Sequence, residues 1–266
     1  MSDSKKESWA SGNLYHAYMG QWSELIAEQF IAWLQSADNL TWLDVGCGPG
    51  ALTRMILANG SPKSIIGIDP SQDFLDEAQR SIQAQTVAFK QGSGTDLQFE
   101  NNQFDRVVSA LALNFMPDPQ QAVTEMTRVA KSKGVIALYV WDYAGKMEWL
   151  KYFWDVAILL DADANAYDEG QRFPICHPDR LNELFTIAEL QNIETHAVDV
   201  PARFDNFEEY WNLFQIGSFP APAYLKALPE NKQLQLKDKL RDTVPTQPDE
   251  TIELITRAWA IRGIKA

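Results

Sequence analysis

The sequence predicts a doubly wound α/β fold built on a mostly parallel sheet, and three observations predict it. The apolar run Trp42-Leu43-Asp44-Val45 passes at once into alternating glycines, Gly46, Gly48 and Gly50, and then into an amphipathic stretch with Leu52, Met55 and Ile56. Apolar strand, glycine turn and helix start form the opening unit of an open nucleotide-binding sheet. A second apolar run, 64–68, stops at Asp69. That is about 20 residues past the loop, where such folds hydrogen-bond ribose hydroxyls. Strand-like and helix-like segments then keep alternating as far as Trp141, the pattern of βα units in a parallel sheet.

Each element has its own justification. Leu25, Ile26, Phe30, Trp33 and Leu34 recur at helical spacing and predict a helix over about 22–35. Ser71 is placed to cap a helix carrying Phe74, Leu75 and Ala78 and running to about residue 83. Residues 86–91 alternate and read as a third strand, and 104–110 as a fourth. Asp118 is expected to cap a helix with Ala122, Met126, Val129 and Ala130 on one face, with Gly134 ending it. The apolar run 135–141 is the fifth strand. Met147, Leu150, Trp154, Ala157 and Ile158 then give an inserted helix, 172–178 a loop, and 179–190 another helix. Residues 193–200 alternate as a sixth strand. A second insertion follows over about 204–242, cut into short helices by Pro220, Pro222 and Pro229. Residues 251–264 read as the last of seven strands.

Composition narrows the function. The chain has 266 residues and a formal net charge of −13, from 36 acidic against 23 basic residues. Nucleic acid and anionic membrane surfaces call for clustered Lys and Arg, so neither is expected as the main partner. No apolar run is long enough for a membrane span, and the first residues lack the apolar core of a signal peptide. The two cysteines, Cys47 and Cys176, do not suggest a disulfide framework, which fits a reducing cytoplasm, and no metal-spaced Cys/His cluster is present.

Two ligands compete for the glycine loop. Gly46-Cys47-Gly48-Pro49-Gly50-Ala51 satisfies the looser dinucleotide pattern G-x-G-x-x-G/A. Asp44 opposes that reading, because a carboxylate before the first glycine repels a pyrophosphate and favours a ligand carrying an ammonium group. Trp42 to Gly50 resembles the first motif of class I S-adenosylmethionine-dependent methyltransferases, Val-Leu-Asp-hydrophobic-Gly-x-Gly-x-Gly. Phe104-Asp105-Arg106-Val107 is similar to the family's Phe-Asp-x-Val, and the order of elements follows the family over nearly the whole chain. The closest branch is the small-molecule group that includes ubiquinone and menaquinone biosynthesis C-methyltransferases. The resemblance implies a Rossmann-like seven-stranded sheet whose last strand returns antiparallel between the fifth and sixth. It also implies S-adenosylmethionine as cofactor, S-adenosylhomocysteine as product, and no metal.

The resemblance assigns cofactor binding to Asp44, Gly46, Cys47, Gly48, Gly50, Asp69, Pro70, Ser93, Gly94 and Ala110, with Tyr18 and Trp22 from an N-terminal lid over 9–35. The alternative for the lid aromatics is packing of the leading helix. Ser93 stands where the family usually carries an adenine-binding Asp. A serine oxygen accepts there without charge, or the backbone of Gly94 takes over. Asn114 reads either as a contact to substrate or to the cofactor's methionine part, or as local turn capping before Pro117. The insertions, 142–178 and 204–248 of a single domain spanning 1–266, are dense in aromatics and predict a largely apolar or aromatic acceptor pocket. Tyr15, Asn114, Trp141, Tyr143, Arg172, Phe173 and Trp211 are its candidate lining. Of the three histidines, His177 is the candidate general base, His196 reads as structural, and His16 falls in the lid.

The functional expectation is methyl transfer to a small, partly apolar or aromatic molecule by in-line displacement. The Asn/Asp-Pro-Pro-Tyr/Phe motif of base-methylating relatives is absent, since the chain reads Asn114-Phe115-Met116-Pro117. The alternatives are a non-catalytic protein that binds S-adenosylmethionine and a nicotinamide-dependent oxidoreductase. The acceptor atom and the oligomeric state stay open.

Overall fold

The computed structural model describes residues 19–217 and 219–266. Seven strands form one sheet: β1 Thr41–Val45, β2 Ser64–Asp69, β3 Val87–Gln91, β4 Phe104–Ala110, β5 Ala130–Trp141, β6 Gln191–Phe204 and β7 Ile252–Ile264. Their spatial order is β3-β2-β1-β4-β5-β7-β6. The ladders joining β3, β2, β1, β4 and β5 are parallel, and β7 runs antiparallel to β5. The expected fold holds, down to the returning strand between the fifth and sixth. Strand order reverses between β1 and β4, and at such a switch point the loops leaving the carboxyl ends part to leave a crevice.

The chain divides into two compact units. A sheet unit comprises Ser23–Asp142, Pro174–Asp199 and Arg257–Ala266. A helical unit comprises the described residues up to Trp22 with Tyr143–Phe173 and Val200–Thr256, so the end of β6 and the start of β7 belong to it.

In the sheet unit, β1 is buried on both faces, which is why it reads as a continuous apolar run rather than an alternation. Helix α1, Gln21–Leu34, buries Ile26, Ala27 and Phe30, and Phe30 meets Tyr139 of β5 at 4.7 Å between ring centroids. Helices α2, Ala51–Ala58, and α3, Gln72–Ser81, follow β1 and β2. The Ser71 hydroxyl accepts from the Phe74 N–H and caps α3. Asp118 accepts from the Gln121 N–H and caps α4, Pro119–Val129.

The junction after α4 differs from expectation. Gly134 does not end the helix; α4 stops at Val129, and Ala130 already pairs with Phe104. Residues 131–134 then leave the ladder before Val135 pairs with Arg106. Lys133 takes φ 64°, and a Cβ on Gly134 would come within 2.8 Å of the Lys131 carbonyl oxygen. Glycine here serves a tight bulge inside a strand, and the buried run Val129-Ala130 hides the change of element from helical periodicity.

In the helical unit, α5, Glu148–Leu160, buries Trp149, Leu150, Phe153, Trp154, Val156 and Ala157. Phe153 stacks on Phe214 at 4.4 Å between centroids, and the Tyr210 hydroxyl donates to the Trp149 carbonyl at 2.7 Å. A single short turn, α6, spans Glu169–Arg172. The sheet unit resumes with α7, Pro178–Ile187, which stops three residues short of the expected end, Glu189 turning into left-handed backbone at φ 58°. The second insertion forms α8, Phe207–Asn212, α9, Pro220–Ala227, and α10, Glu230–Thr243. Pro220 opens α9 and Pro229 precedes α10, the positions a missing N–H tolerates. Lys237 and Arg241 of α10 both hold Glu208 of α8, each at 2.6 Å.

Candidate functional site

The glycine loop lies between β1 and α2, and its three glycines take φ +73°, +52° and +89°. A Cβ on Gly46 would come within 2.6 Å of Ala112 Cβ, and one on Gly50 within 2.7 Å of Ile82 Cδ1. Around Gly48 there is open space, with nothing within 4 Å of such a Cβ. Two glycines thus allow close packing and the third leaves room for a ligand to approach the backbone.

The loop is tied to the end of β2. The N–H groups of Gly46 and Cys47 both donate to the Ile68 carbonyl, at 2.8 and 2.9 Å. Asp69 Oδ2 accepts from the Gly48 N–H at 3.0 Å and Oδ1 from the Ser71 N–H at 2.9 Å. Each carboxylate oxygen keeps a second lone pair, so the residue expected to bind ribose also fastens the loop in place. Burial raises its pKa, and the two backbone donors work against that rise.

Asp44 is wholly buried. Its Oδ2 accepts from the Thr53 hydroxyl at 2.7 Å, while Oδ1 has no hydrogen-bond partner among the described residues. Burial pushes this carboxyl up from 3.8 to about 7; the Thr53 bond opposes the rise and the Asp69 charge adds to it. An unpartnered buried carboxylate oxygen is costly unless a ligand donor or cation meets it. Asp44, Gly46, Cys47, Gly48, Gly50 and Asp69 therefore come together as one cradle, and the residues fit the cofactor named above. The orphaned Asp44 oxygen suits its ammonium group, the Asp69 carboxylate suits vicinal hydroxyls, and Gly48 admits it. The Cys47 thiol, pushed up by burial and by Asp44, stays protonated. Ala110 ends β4 opposite Tyr139, and Pro70 is exposed just past Asp69.

Other assignments fare differently. Tyr15, His16 and Tyr18 lie outside the described residues, as does the first part, 9–18, of the lid over 9–35. Trp22 is buried in the helical unit, stacked on Trp149 at 5.1 Å and edge-on to Phe204, which answers to the packing alternative. Ser93 is exposed and turned into its own loop: its Oγ lies 2.9 Å from Thr95 Oγ1 and accepts from the Thr95 N–H. A serine after a glycine forms such a turn more readily than it reaches out to a base. Gly94 is the closer-packed position, since a Cβ there would come within 2.8 Å of Met116 Sδ. Asn114 is 9% exposed and its Nδ2 has no partner among the described residues, so the amide does not serve the local capping; Asp118 caps the helix that follows.

Tyr143, Arg172 and Phe173 cluster in the helical unit, with Tyr143 and Phe173 rings 5.8 Å apart and the Arg172 guanidinium 5.1 Å over Phe173. Trp211 is stacked on Phe207 and tilted against Phe214, in that unit's own core. His177 is the N-cap of α7: its Nδ1 accepts from the Asp179 N–H, and its side chain is 56% exposed. A ring held by a cap and open to solvent is a structural histidine, and the general-base assignment finds no geometric support. His196 stacks on Trp33 at 5.4 Å, a structural role as expected.

Three features escaped the sequence. Thr53 holds Asp44, and its only signal is a polar residue on the apolar first turn of α2. Ser109 donates to the Val45 carbonyl at 2.7 Å and fixes the end of β1. Glu125 accepts from the Leu97 N–H while Arg128 donates to the Leu97 and Phe99 carbonyls, clasping the loop after β3. Among the described residues no group of His, Cys, Asp and Glu could hold a metal ion, and no helix is long and apolar enough to cross a membrane.

The switch point of the doubly wound sheet thus carries the glycine loop, the buried Asp44 and a second carboxylate, Asp69, at the end of β2. Residues 43–138 match the protein-family model described as a methyltransferase domain. A demethylmenaquinone methyltransferase of Lactiplantibacillus plantarum is 35% identical over 109 residues, covering 39% of this chain and 46% of that protein. A 2-methyl-6-phytyl-1,4-hydroquinone methyltransferase of Oryza sativa is 32% identical over 123 residues, covering 45% and 34%. The chain thus spans less than half the length of these curated relatives. Among solved structures, the YcgJ protein of Bacillus subtilis shares the fold at TM-score 0.58 and 18% identity, covering 90% of this chain and 97% of that one. Phosphoethanolamine N-methyltransferase 2 of Haemonchus contortus, solved with S-adenosyl-L-methionine, does so at TM-score 0.59 and 14% identity, covering 95% and 56%.

Proposed function

We propose that this protein transfers a methyl group from S-adenosylmethionine to a small, partly apolar or aromatic acceptor of the phenol or quinol type. The observation that carries the reading is the Asp44–Asp69 cradle, with an orphaned buried carboxylate oxygen beside a loop whose N–H groups are already tied to β2. That arrangement leaves acceptors, rather than donors, for the ligand, which suits a cationic cofactor and disfavours a pyrophosphate. The names of the matched relatives support a quinol-type acceptor.

When bound, the cofactor supplies a methyl group already activated on a sulfonium. The chain's own contribution is to hold the cofactor through Asp44, Asp69 and the glycine backbone, to align the acceptor in line and to exclude water. His177, serving as a cap, is given no part in this chemistry. We read residues 1–266 as one methyltransferase domain with an N-terminal lid over 9–35. Its insertions, 142–178 and 204–248, select the acceptor, in keeping with their density of aromatic side chains. The partners proposed are small molecules only, in keeping with the net charge of −13. A cytoplasmic location agrees with two free buried thiols, Cys47 and Cys176.

Calorimetric titration with S-adenosylhomocysteine and NADH, followed by transfer of labelled methyl groups to a metabolite pool, tests the reading. Binding of S-adenosylhomocysteine with labelled product is expected. Binding without any product would leave a non-catalytic binder, and binding of NADH alone would reverse the choice of cofactor.

A further inference from the structure

Among the described residues, two buried nitrogen donors of the sheet unit have no hydrogen-bond partner: Asn114 Nδ2 and Trp141 Nε1. Asn114 is 9% exposed and Trp141 2%. Native proteins leave few such groups unpaired, because a buried donor without an acceptor forfeits its hydration. Their places in the fold are related. β4 and β5 are neighbouring parallel strands, still paired where the Leu111 N–H donates to the Tyr139 carbonyl at 2.8 Å. Asn114 follows three residues beyond Leu111 and Trp141 two beyond Tyr139, so both leave the carboxyl edge of adjacent strands.

The turn that bears Asn114 also abuts the cofactor cradle. Ala112 Cβ is 2.6 Å from a Cβ placed on Gly46, Met116 Cε is 3.6 Å from it, and Met116 Sδ is 2.8 Å from one on Gly94. The orphaned groups differ in polarity. On β1, beside β4, Asp44 offers an unpartnered acceptor, which calls for a cation. In the turn after β4 and at the end of β5 the unpartnered groups are donors, which call for oxygen lone pairs. An indole N–H can only donate, and its ring offers a flat apolar surface alongside.

We infer that Asn114 and Trp141 are positioning residues for the methyl acceptor, donating hydrogen bonds to an oxygen on its ring and so fixing which ring atom faces the methyl group. This rests on the methyltransferase reading above and assigns to these two residues the recognition of the acceptor's oxygen, so that an oxygen-free ring of the same shape binds poorly. Asn114 and Trp141 act on orientation, leaving cofactor affinity to Asp44 and Asp69.

The test uses the full chain saturated with S-adenosylhomocysteine and two probes of one shape, 1-naphthol and naphthalene, titrated by ligand-observed NMR. The wild-type protein is expected to prefer 1-naphthol at least tenfold. Asn114→Leu and Trp141→Phe should each cut that preference to threefold or less while changing S-adenosylhomocysteine affinity less than twofold. Trp141→Phe keeps an aromatic ring at this position while removing the N–H, so it carries the test should Asn114→Leu fail to fold. No preference for 1-naphthol in the wild type, absence of binding included, overturns the inference, and so does a preference that survives both substitutions. Failure of S-adenosylhomocysteine itself to bind would overturn the methyltransferase reading instead.

Discussion

Asp44→Asn should make the free protein more stable and the cofactor-binding protein worse. The folded chain raises this carboxyl from 3.8 to about 7, so it binds a proton that the unfolded chain releases. Stability therefore falls as pH climbs from about 4 to about 7 and stays at the lower level above that. A shift of about three pKa units corresponds to at most about 4 kcal/mol, at roughly 1.4 kcal/mol per unit. The replacing amide would still lack a partner where Oδ1 has none, which costs about 1–3 kcal/mol and leaves a net gain of roughly 2 kcal/mol at pH 8. For a chain of this size that raises Tm by about 4–8 °C. At pH 5 little more than a third of the titration has occurred, and the amide's own cost removes most of the gain. Thermal melts of both proteins at pH 5, 6.5 and 8, without ligand, read this directly. Calorimetry with S-adenosylhomocysteine should show the variant binding at least about tenfold more weakly, since a neutral amide does not replace a carboxylate opposite an ammonium group. A variant that melts below the wild type at pH 8, or by the same margin at pH 5 and pH 8, would refute the assignment of an orphaned buried charge to Asp44.

Asp69→Ala should cost about 2–3 kcal/mol of S-adenosylhomocysteine binding, the scale for hydrogen bonds to a charged group, and calorimetry giving unchanged affinity in a folded variant would end its role. The same substitution frees the Gly48 N–H, so amide exchange at Gly48 should quicken in the ligand-free protein. Ser93→Ala removes a turn-forming hydroxyl and should lower stability by no more than about 1 kcal/mol, with S-adenosylhomocysteine affinity unchanged within twofold by titration. A larger loss of affinity would return Ser93 to the adenine site. Glu169, buried in the helical unit and accepting from the Trp154 indole at 2.6 Å, is pushed by burial to about 8. Its folded value is raised, so it lowers stability as pH rises from about 4.5 to about 8; Glu169→Gln keeps the acceptor and should melt higher than the wild type at pH 9 but not at pH 5.

Much of this protein was legible because local rules decide it. The glycine loop, Asp69, the Ser71 and Asp118 caps and the proline breaks at Pro220 and Pro229 follow from backbone conformation and short-range hydrogen bonds, which neighbouring residues fix. The doubly wound sheet follows from periodicity. Gly134 misled for the same reason: glycine after an apolar helix face fits a cap and a bulge equally, and only the pairing of Ala130 with Phe104 distinguishes them. His177 misled because a histidine beside Arg172 and Phe173 in sequence looks catalytic until its Nδ1 is found accepting from Asp179.

The sequence by itself determined the fold, through the alternation of strand and helix patterns along the chain, and the family resemblance, through short motifs that local backbone rules fix. Only the tertiary structure decided which polar groups are left without partners. Whether Asp44 Oδ1, Asn114 Nδ2 or Trp141 Nε1 finds a mate depends on residues distant in sequence and on the exclusion of water from all sides. A buried group's hydrogen bonding, and with it the pKa of Asp44, is a property of the packed surroundings rather than of the residue or its neighbours in the chain.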